Sequence, residues 1–160
     1  MDLSADDLRA ALTAHGTPTV LIGAHAANRY RLEARQTVDV DLLAPHLDGA
    51  AEVLRSLGCT VRVVEDDGHV YLLSARIGST VVDVLLAETE YQRTALARAV
   101  DGVLTVEDVI VHKLIAGRPR DLDDIASILA TRTPFDEDYV VTHAGEWGVL
   151  ERWQALRDSA

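Results

Sequence analysis

Apolar and polar positions alternate along the chain with two periods, one typical of strands and one typical of helices. Short strand-like runs are interleaved with helical spacing in the first half, and from Glu88 onward the spacing is helical. Helices are predicted over 4–15, 24–32, 47–57, 106–116 and 122–130, with interrupted helical spacing over 135–157, and strands over 19–22, 37–43, 60–64, 69–75 and 79–86. The order αβαβαβββ, followed by helices, predicts an α/β (α+β) fold: a mixed sheet with helices on one face and a C-terminal helical part.

The last three predicted strands are separated only by turns. An acidic turn over 65–68 and a second turn at Ile77 and Gly78 indicate an antiparallel meander. No segment between elements is long enough to link two independent domains. We therefore expect a single compact unit, with a core over 1–100 and a helical C-terminal part over 101–160 packed on it.

Composition narrows the class of protein. The 160 residues are 48% apolar, which is enough for one core, and no run of eighteen apolar residues is present. With an acidic N-terminus, this indicates a cytoplasmic protein without a secretory signal or a membrane partner. The net charge of −11 disfavours a broad nucleic-acid surface, so no DNA partner is expected. Cys59 is the single cysteine and is expected to be a small buried apolar residue.

Two aspartates alternate with apolar residues in the strand predicted over 37–43. Val38, Val40 and Leu42 point to one face of such a strand, and Asp39 and Asp41 point to the other. Carboxylates at this spacing can bind one or two magnesium ions. The alternative is that both aspartates line the solvated side of an edge strand.

A third aspartate lies in another apolar strand. Asp83 is the one charged residue between Thr80 and Leu86. If this strand neighbours the first, Asp83 completes a cluster of three carboxylates with Asp39 and Asp41, which suits two-metal nucleotidyl transfer. Asp83 would then be a metal ligand and a candidate general base.

A glycine separates the strand at 19–22 from the helix that follows it. Gly23 at such a turn lets backbone N–H groups approach a phosphate, and the start of the helix favours the anion. Turns of this kind are also common without any ligand.

Taken together, these residues resemble the DNA polymerase beta-like nucleotidyltransferase superfamily. The motif of that superfamily is a Gly-Ser or Gly-Gly opening a helix, an Asp-x-Asp on the next strand and a third Asp on a later strand. Here the matching residues are Gly23 and Ala24, Asp39 and Asp41, and Asp83. Ala24 departs from the usual Gly or Ser and removes one possible phosphate contact.

The chain is most similar to the AbiEii/MenT-type toxin nucleotidyltransferases and related small bacterial proteins, over roughly residues 17 to 130. The similarity includes the segments 22–27, 35–43, 106–114 and 118–125. It implies two magnesium ions held by Asp39, Asp41 and Asp83, and an NTP substrate. It further implies a catalytic set of Asp39, Asp41, Asp83, Lys113 and Asp121, and a nucleotide-binding set of Gly23, Ala24, Arg35, Thr37, Lys113 and Arg118.

The second half of that site has its own sequence pattern. Lys113, the only lysine, falls on the apolar stripe of the helix predicted over 106–116, so it must reach water at the edge of the helix or face an anion. Either Arg118 or Arg120 is expected to pair with Asp121 or with phosphate, or to form an ordinary surface ion pair. Arg35 points toward the carboxylates if the strand extends back to it. The inward positions of the next helix are predicted to be Leu122, Ile125, Ala126 and Leu129.

The predicted function is transfer of an NMP from an NTP to a hydroxyl acceptor, with release of pyrophosphate. A tRNA end, a protein hydroxyl and a small antibiotic all remain open as acceptors, and a toxin with a cognate antitoxin partner is one interpretation. The alternative is a catalytically inactive nucleotidyltransferase fold that acts as a binding or regulatory protein. A dinucleotide-binding fold fits poorly because the segment after Ile22 lacks the spaced glycines.

Overall fold

The structure is a computed structural model, and it describes residues 3–160. The helices in this range are α1 (Ala5–Ala14), α2 (Gly23–Asn28), α3 (Ala50–Ser56), α4 (Glu90–Arg98), α5 (Val106–Ala116), α6 (Pro119–Ala130), α7 (Glu137–Glu146) and α8 (Leu150–Asp158). The strands are β1 (Val20–Leu21), β2 (Val40–Ala44), β3 (Thr60–Asp66), β4 (His69–Ile77) and β5 (Thr80–Leu86). This is the predicted order of elements, and the α+β class is confirmed.

The five strands form one mixed sheet in the order β1-β2-β5-β4-β3. Strands β2 and β5 are parallel, and every other neighbouring pair is antiparallel. The meander predicted for the last three strands is therefore confirmed. Because β2 and β5 are adjacent, the strand that carries Asp41 lies directly beside the strand that carries Asp83.

Every second residue of a strand points to the same face of the sheet. On one face of this sheet, these residues are apolar. Rows of register partners, with side chains at most 3% exposed, are formed by Val40, Leu42, Leu73, Ala75, Val82 and Val84. Helix α3 packs on β3 and contacts α1. Cys59, which precedes β3, is buried and has a free thiol, as predicted.

The contacts divide the chain into two compact units. One contains the residues up to His25 together with Gln36–Leu104, and therefore holds the whole sheet. The other contains Ala26–Arg35 and Thr105–Ala160. In the second unit, the buried side chains include Ile110, Leu114 and Trp153. None of the helices over residues 3–160 is both long and apolar enough to cross a membrane.

The structure corrects the bounds of two predicted elements near Asp39. Helix α2 ends at Asn28 rather than at residue 32, because the Asn28 side chain donates to the Arg35 carbonyl oxygen (2.8 Å) and accepts from the Arg35 N–H (3.0 Å). These two bonds fix a turn after the helix. Strand β2 begins at Val40 rather than at residue 37, so Thr37 and Asp39 precede the strand.

Two other helices also begin at different residues from those predicted. Helix α3 starts after Gly49, which has a φ of +73°, rather than at residue 47. Helix α6 starts three residues earlier than predicted, at Pro119, because proline is well tolerated at the first helical position. Its inward positions also differ from the prediction: Ala126 is exposed, and Asp121, Asp124, Ile125, Ile128 and Leu129 are buried.

Candidate functional site

Asp41 and Asp83 are register partners in the parallel strands β2 and β5. Partners of this kind point to the same face of the sheet, about 4.8 Å apart along the hydrogen-bonding direction. Both side chains are partly exposed, and they lie on the face opposite to the apolar core. The Oδ1 atom of Asp83 is buried and has no hydrogen-bond partner among the described residues. Two neighbouring carboxylates repel each other, and one of them has a buried oxygen without a hydrogen bond. A bound cation would stabilise this arrangement.

Gly23 lies against Asp41. The Ile22 N–H donates to the Asp41 carbonyl oxygen (3.0 Å), and this bond holds the end of β1 beside β2. A Cβ atom at position 23 would collide with Oδ2 of Asp41 and would lie 3.0 Å from its Cγ. The φ angle of Gly23, +62°, is also one that residues with side chains rarely adopt. Both the backbone conformation and the neighbouring carboxylate therefore require glycine at position 23. The next residue, Ala24, is buried.

Asp39 lies outside this pair. Its side chain is exposed, and its backbone precedes β2, so strand alternation does not fix its direction as predicted. Thr37 lies in the same segment, where its hydroxyl donates to the Asp39 carbonyl oxygen at 3.4 Å. Within residues 3–160, no group of three or more His, Cys, Asp or Glu side chains is gathered closely enough to hold a metal ion. Asp41 and Asp83 fit a divalent cation as oxygen donors, and no third side chain of these types within the described range is grouped with them.

Lys113 lies in the second unit, in a buried cluster of charges. Its side chain is 6% exposed, and its Nζ atom lies 3.1 Å from Asp121 Oδ1 and 2.9 Å from Asp124 Oδ2. The side chains of both aspartates are fully buried. Of the two positions that the sequence left open for Lys113, water at the helix edge and an anion, the structure shows the anion. The anions that Lys113 faces belong to the next helix.

Asp124 is the centre of this cluster, and the sequence alone predicted no role for it. It accepts from Arg31 Nη1 (2.5 Å) and from Arg35 Nε (2.8 Å) and Nη2 (3.1 Å), in addition to its contact with Lys113. Burial alone would raise the pKa of Asp124, but the hydrogen bonds from Arg35 and Lys113 outweigh it and lower that pKa to about 2. Asp124 is therefore ionised at neutral pH, which keeps three cations in place.

Arg118 and Asp121 form the outer part of the cluster. The Arg118 Nε atom donates to Asp121 Oδ2 at 2.6 Å, and the Arg118 backbone N–H donates to the same oxygen at 3.1 Å. Burial opposes ionisation of Asp121, yet the bonds from Arg118 and Lys113 lower its pKa overall. Of the partners that the sequence left open for Arg118, the structure shows Asp121.

Arg35 has a different position from the one expected for an extended strand. The strand starts at Val40, and the Arg35 guanidinium binds Asp124. A signal for Asp124 was present in the sequence. Asp121, Asp124, Ile125 and Ile128 follow the i, i+3, i+4, i+7 spacing of one helix face, so the acidic residues were in phase with apolar ones.

Solved structures identify the class of fold. The chain is similar to a solution structure of the antibiotic-resistance factor ANT(2'')-Ia, with a TM-score of 0.63 and 18% identity over 95% of this chain and 92% of that chain. A crystal structure of ANT(2'')-Ia in complex with adenylyl-2''-tobramycin has a TM-score of 0.54 and 20% identity, over 95% and 94% of the two chains. A Helicobacter pylori protein proposed to be a nucleotidyltransferase has a TM-score of 0.57 and 16% identity, over 92% and 84%.

The chain therefore has the nucleotidyltransferase fold, and its Asp41–Asp83 pair lies on two adjacent strands of that fold. No protein-family model matches the sequence, and no curated protein does. The particular similarity to AbiEii/MenT-type toxins stays a prediction, as do the roles predicted for the individual site residues.

Proposed function

We propose that this protein is a metal-dependent nucleotidyltransferase that moves an NMP from an NTP to a hydroxyl acceptor. The observation that carries the proposal is the pairing of Asp41 with Asp83 across β2 and β5, with the Oδ1 atom of Asp83 buried and unbonded. The nucleotidyltransferase fold supports the same reaction class.

Magnesium suits this pair because it prefers carboxylate oxygens and relieves the repulsion between them. Asp39, two residues before Asp41 on an exposed segment, is the proposed third ligand. When bound, the metal neutralises phosphate charge and lowers the pKa of the acceptor hydroxyl. The backbone N–H groups that follow Gly23, at the turn that opens α2, are the proposed phosphate contacts, as in other glycine turns that bind phosphate.

The reaction is an in-line displacement. The acceptor oxygen forms a bond to the α-phosphorus of the NTP, and the bond from that phosphorus to the bridging oxygen breaks. Pyrophosphate leaves with the electron pair of the broken bond. Asp83 is the proposed acceptor of the hydroxyl proton, and orientation together with charge neutralisation supplies most of the rate.

The test uses four α-labelled NTPs, each with magnesium and with one of three acceptor pools: total RNA, cell protein, and hydroxyl-bearing antibiotics. We expect label transfer with at least one combination, and loss of it in Asp83→Asn and in Asp41→Asn. Asp66→Asn is the matched control, because Asp66 is an exposed aspartate at the end of β3. Transfer that survives in both site variants would refute the proposal.

The acceptor that becomes labelled distinguishes modification of an antibiotic from the role of a toxin. Adenylylated tobramycin is bound in a structure of ANT(2'')-Ia, so an antibiotic hydroxyl is one acceptor in the test. A toxin would instead label tRNA or protein and would be neutralised by a cognate antitoxin. We propose the toxin role as one outcome, to be tested by growth arrest on expression of the wild type but not of Asp83→Asn.

A second candidate function is a nucleotidyltransferase fold that binds ligands without transferring a nucleotide. Two observations favour it: Lys113 is already paired with Asp121 and Asp124, and Ala24 replaces the usual Gly or Ser. Calorimetry with each NTP and magnesium separates the two functions when read beside the transfer assay. Binding without transfer supports the inactive fold, and binding with transfer supports the enzyme.

A further inference from the structure

The sheet face that carries Asp41 and Asp83 extends as a polar row across two more strands. Ser74 on β4 is the register partner of Asp83, and Arg62 on β3 is the register partner of Ser74. Register partners point to the same face, so these four side chains form one row over β2, β5, β4 and β3. With strands spaced about 4.8 Å apart, Arg62 starts about 10 Å from Asp83.

A second arginine lies next to the first. Arg76 is two residues beyond Ser74 on β4, so it shares the face of Ser74 and is the diagonal neighbour of Arg62. Diagonal neighbours in an antiparallel pair are about 7–8 Å apart, a distance that two arginine side chains can close. Both guanidinium groups can therefore bind a single anionic group.

Neither arginine has a partner within the described chain. Over residues 3–160, the side chains of Arg62 and Arg76 make no hydrogen bond and no ion pair, and both are exposed. The chain carries 26 acidic and 15 basic residues, so carboxylates were abundant enough to pair with them. Two unpaired like charges side by side on a sheet do not stabilise it. Their placement beside the carboxylate pair is better explained by a ligand.

We propose that Arg62 and Arg76 bind an anionic group of the acceptor and so determine which acceptor the enzyme uses. This inference rests on the proposed function, because it places the reacting hydroxyl at Asp83. The anion is a phosphate, since tetrahedral phosphate oxygens accept hydrogen bonds from two guanidinium groups at once. The Ser74 hydroxyl lies in the row between Asp83 and Arg62, and it donates a hydrogen bond to the acceptor. A polycationic acceptor is disfavoured by the same arginines.

The binding test uses ribose 5-phosphate as the probe and ribose as the neutral comparison. In the amide NMR spectrum of the full chain, ribose 5-phosphate should shift the signals of residues 62, 74 and 76, and ribose should not. The double variant Arg62→Gln with Arg76→Gln should weaken this binding by about tenfold or more, as expected for charge-assisted hydrogen bonds. The control Arg55→Gln removes an exposed arginine from α3 in the same unit and should leave binding unchanged.

A short single-stranded RNA in place of ribose 5-phosphate distinguishes the two sources of phosphate. Tighter binding of the RNA identifies a nucleic-acid acceptor, and equal or weaker binding identifies a small phosphorylated one. Absence of shifts at these residues with both probes, or a double variant that binds as the wild type does, would overturn the inference.

Calorimetry with NTP and magnesium separates this result from the proposed function. NTP binding without phosphate binding at Arg62 and Arg76 refutes only the acceptor site. Phosphate binding without NTP binding refutes only the transferase, and the anion site remains.

Discussion

Gly23 and Asp41 are in direct contact: the space that a side chain at position 23 would need is filled by the Asp41 carboxylate. The contact depends on the Ile22 N–H bond to Asp41, which sets the end of β1 against β2. The position of the carboxylate thus depends on a residue that has no side chain.

Replacing Gly23 by alanine should therefore damage both the fold and the site. The φ of +62° alone should destabilise the variant by about 1–2 kcal/mol, and the collision should displace the Asp41 side chain. Urea unfolding and magnesium titration measure the two effects. Gly78→Ala is the control, because Gly78 has a similar φ of +57° and open space around it. Equal loss of magnesium affinity in both variants would contradict the role of the contact.

Asp83→Asn should have opposite effects on stability without and with magnesium. Without the metal, the variant should be as stable as the wild type or more stable by up to about 1 kcal/mol, because one of two neighbouring charges is removed. At a magnesium concentration ten times the Kd, the wild type should gain about 1.4 kcal/mol, and the variant should gain little. Thermal unfolding with and without MgCl2 measures this difference. An equal gain in the variant would show that the metal binds elsewhere, and Asp66→Asn should behave as the wild type.

Asp124→Asn should be strongly destabilising. Removing one charge from a buried ion pair leaves its partners uncompensated, which costs about 3 kcal/mol or more. Lys113, Arg31 and Arg35 would all lose a carboxylate. Asp123→Asn is the matched control, since the Asp123 side chain is 71% exposed and its contact with Arg31 is 3.5 Å long. Urea unfolding that ranks the two variants equally would contradict the buried network.

The same aspartate predicts a loss of stability in acid. The pKa of Asp124 is about 2 in the fold, below the value of 3.8 for a free side chain, so the stabilisation is present above pH 3.8. It is lost as the pH falls toward 2, and its size is roughly 2 kcal/mol. The slope of stability against pH between these values should be smaller in Asp124→Asn than in the wild type. An unchanged slope would show that the cluster does not hold Asp124 ionised.

Protonation of His112 should lower the stability of the fold in a separate and higher pH range. Burial, opposed by the nearby Asp108 carboxylate and reinforced by the Lys113 ammonium, lowers the pKa of His112 to about 4. An unfolded histidine binds a proton near pH 6.5 and the folded one does not, so stability falls as the pH drops from 6.5 to about 4. The loss from this group is roughly 3 kcal/mol. His112→Gln should flatten this part of the curve, whereas His15→Gln, at an exposed position, should not.

The order of strands and helices was predictable because local periodicity reports it. Strands β4 and β5, the turn at Gly78 and the apolar stripe of α5 were all predicted from local patterns, and the structure confirms them. The adjacency of β2 and β5 is a tertiary relationship. The sequence suggested it only through the aspartates among the apolar residues of both predicted strands, and the pairing of Asp41 with Asp83 confirms that adjacency.

The strand that carries Asp41 was predicted to start too early, at residue 37 rather than at Val40, and the reason is physical. An Asp-x-Asp spacing indicates a shared face only if the strand includes both residues, and the turn held by Asn28 and Arg35 delays the start of β2 until Val40. These side chain–backbone bonds join residues seven positions apart. No periodic pattern reports such a bond, so the prediction extended the strand too far.

Only one member of the buried charge cluster on α5 and α6, Lys113, was predicted from its position in the sequence. Lys113 was recognised as a cation on an apolar stripe, but its partners were not, because they lie on another helix. The arginines that join Asp124 come from a segment about ninety residues earlier in the chain. Long-range pairs of this kind are not visible in one sequence without coordinates.

The clustering of Ala26–Arg35 with Thr105–Ala160 has a consequence for how the chain can be cut. A fragment that starts at residue 105 would keep Asp124 and Lys113 but would lack Arg31 and Arg35. The buried Asp124 carboxylate would then miss two of its three counter-charges. Expression of the C-terminal segment by itself should yield a poorly folded product, and addition of a peptide spanning 26–35 should restore its structure.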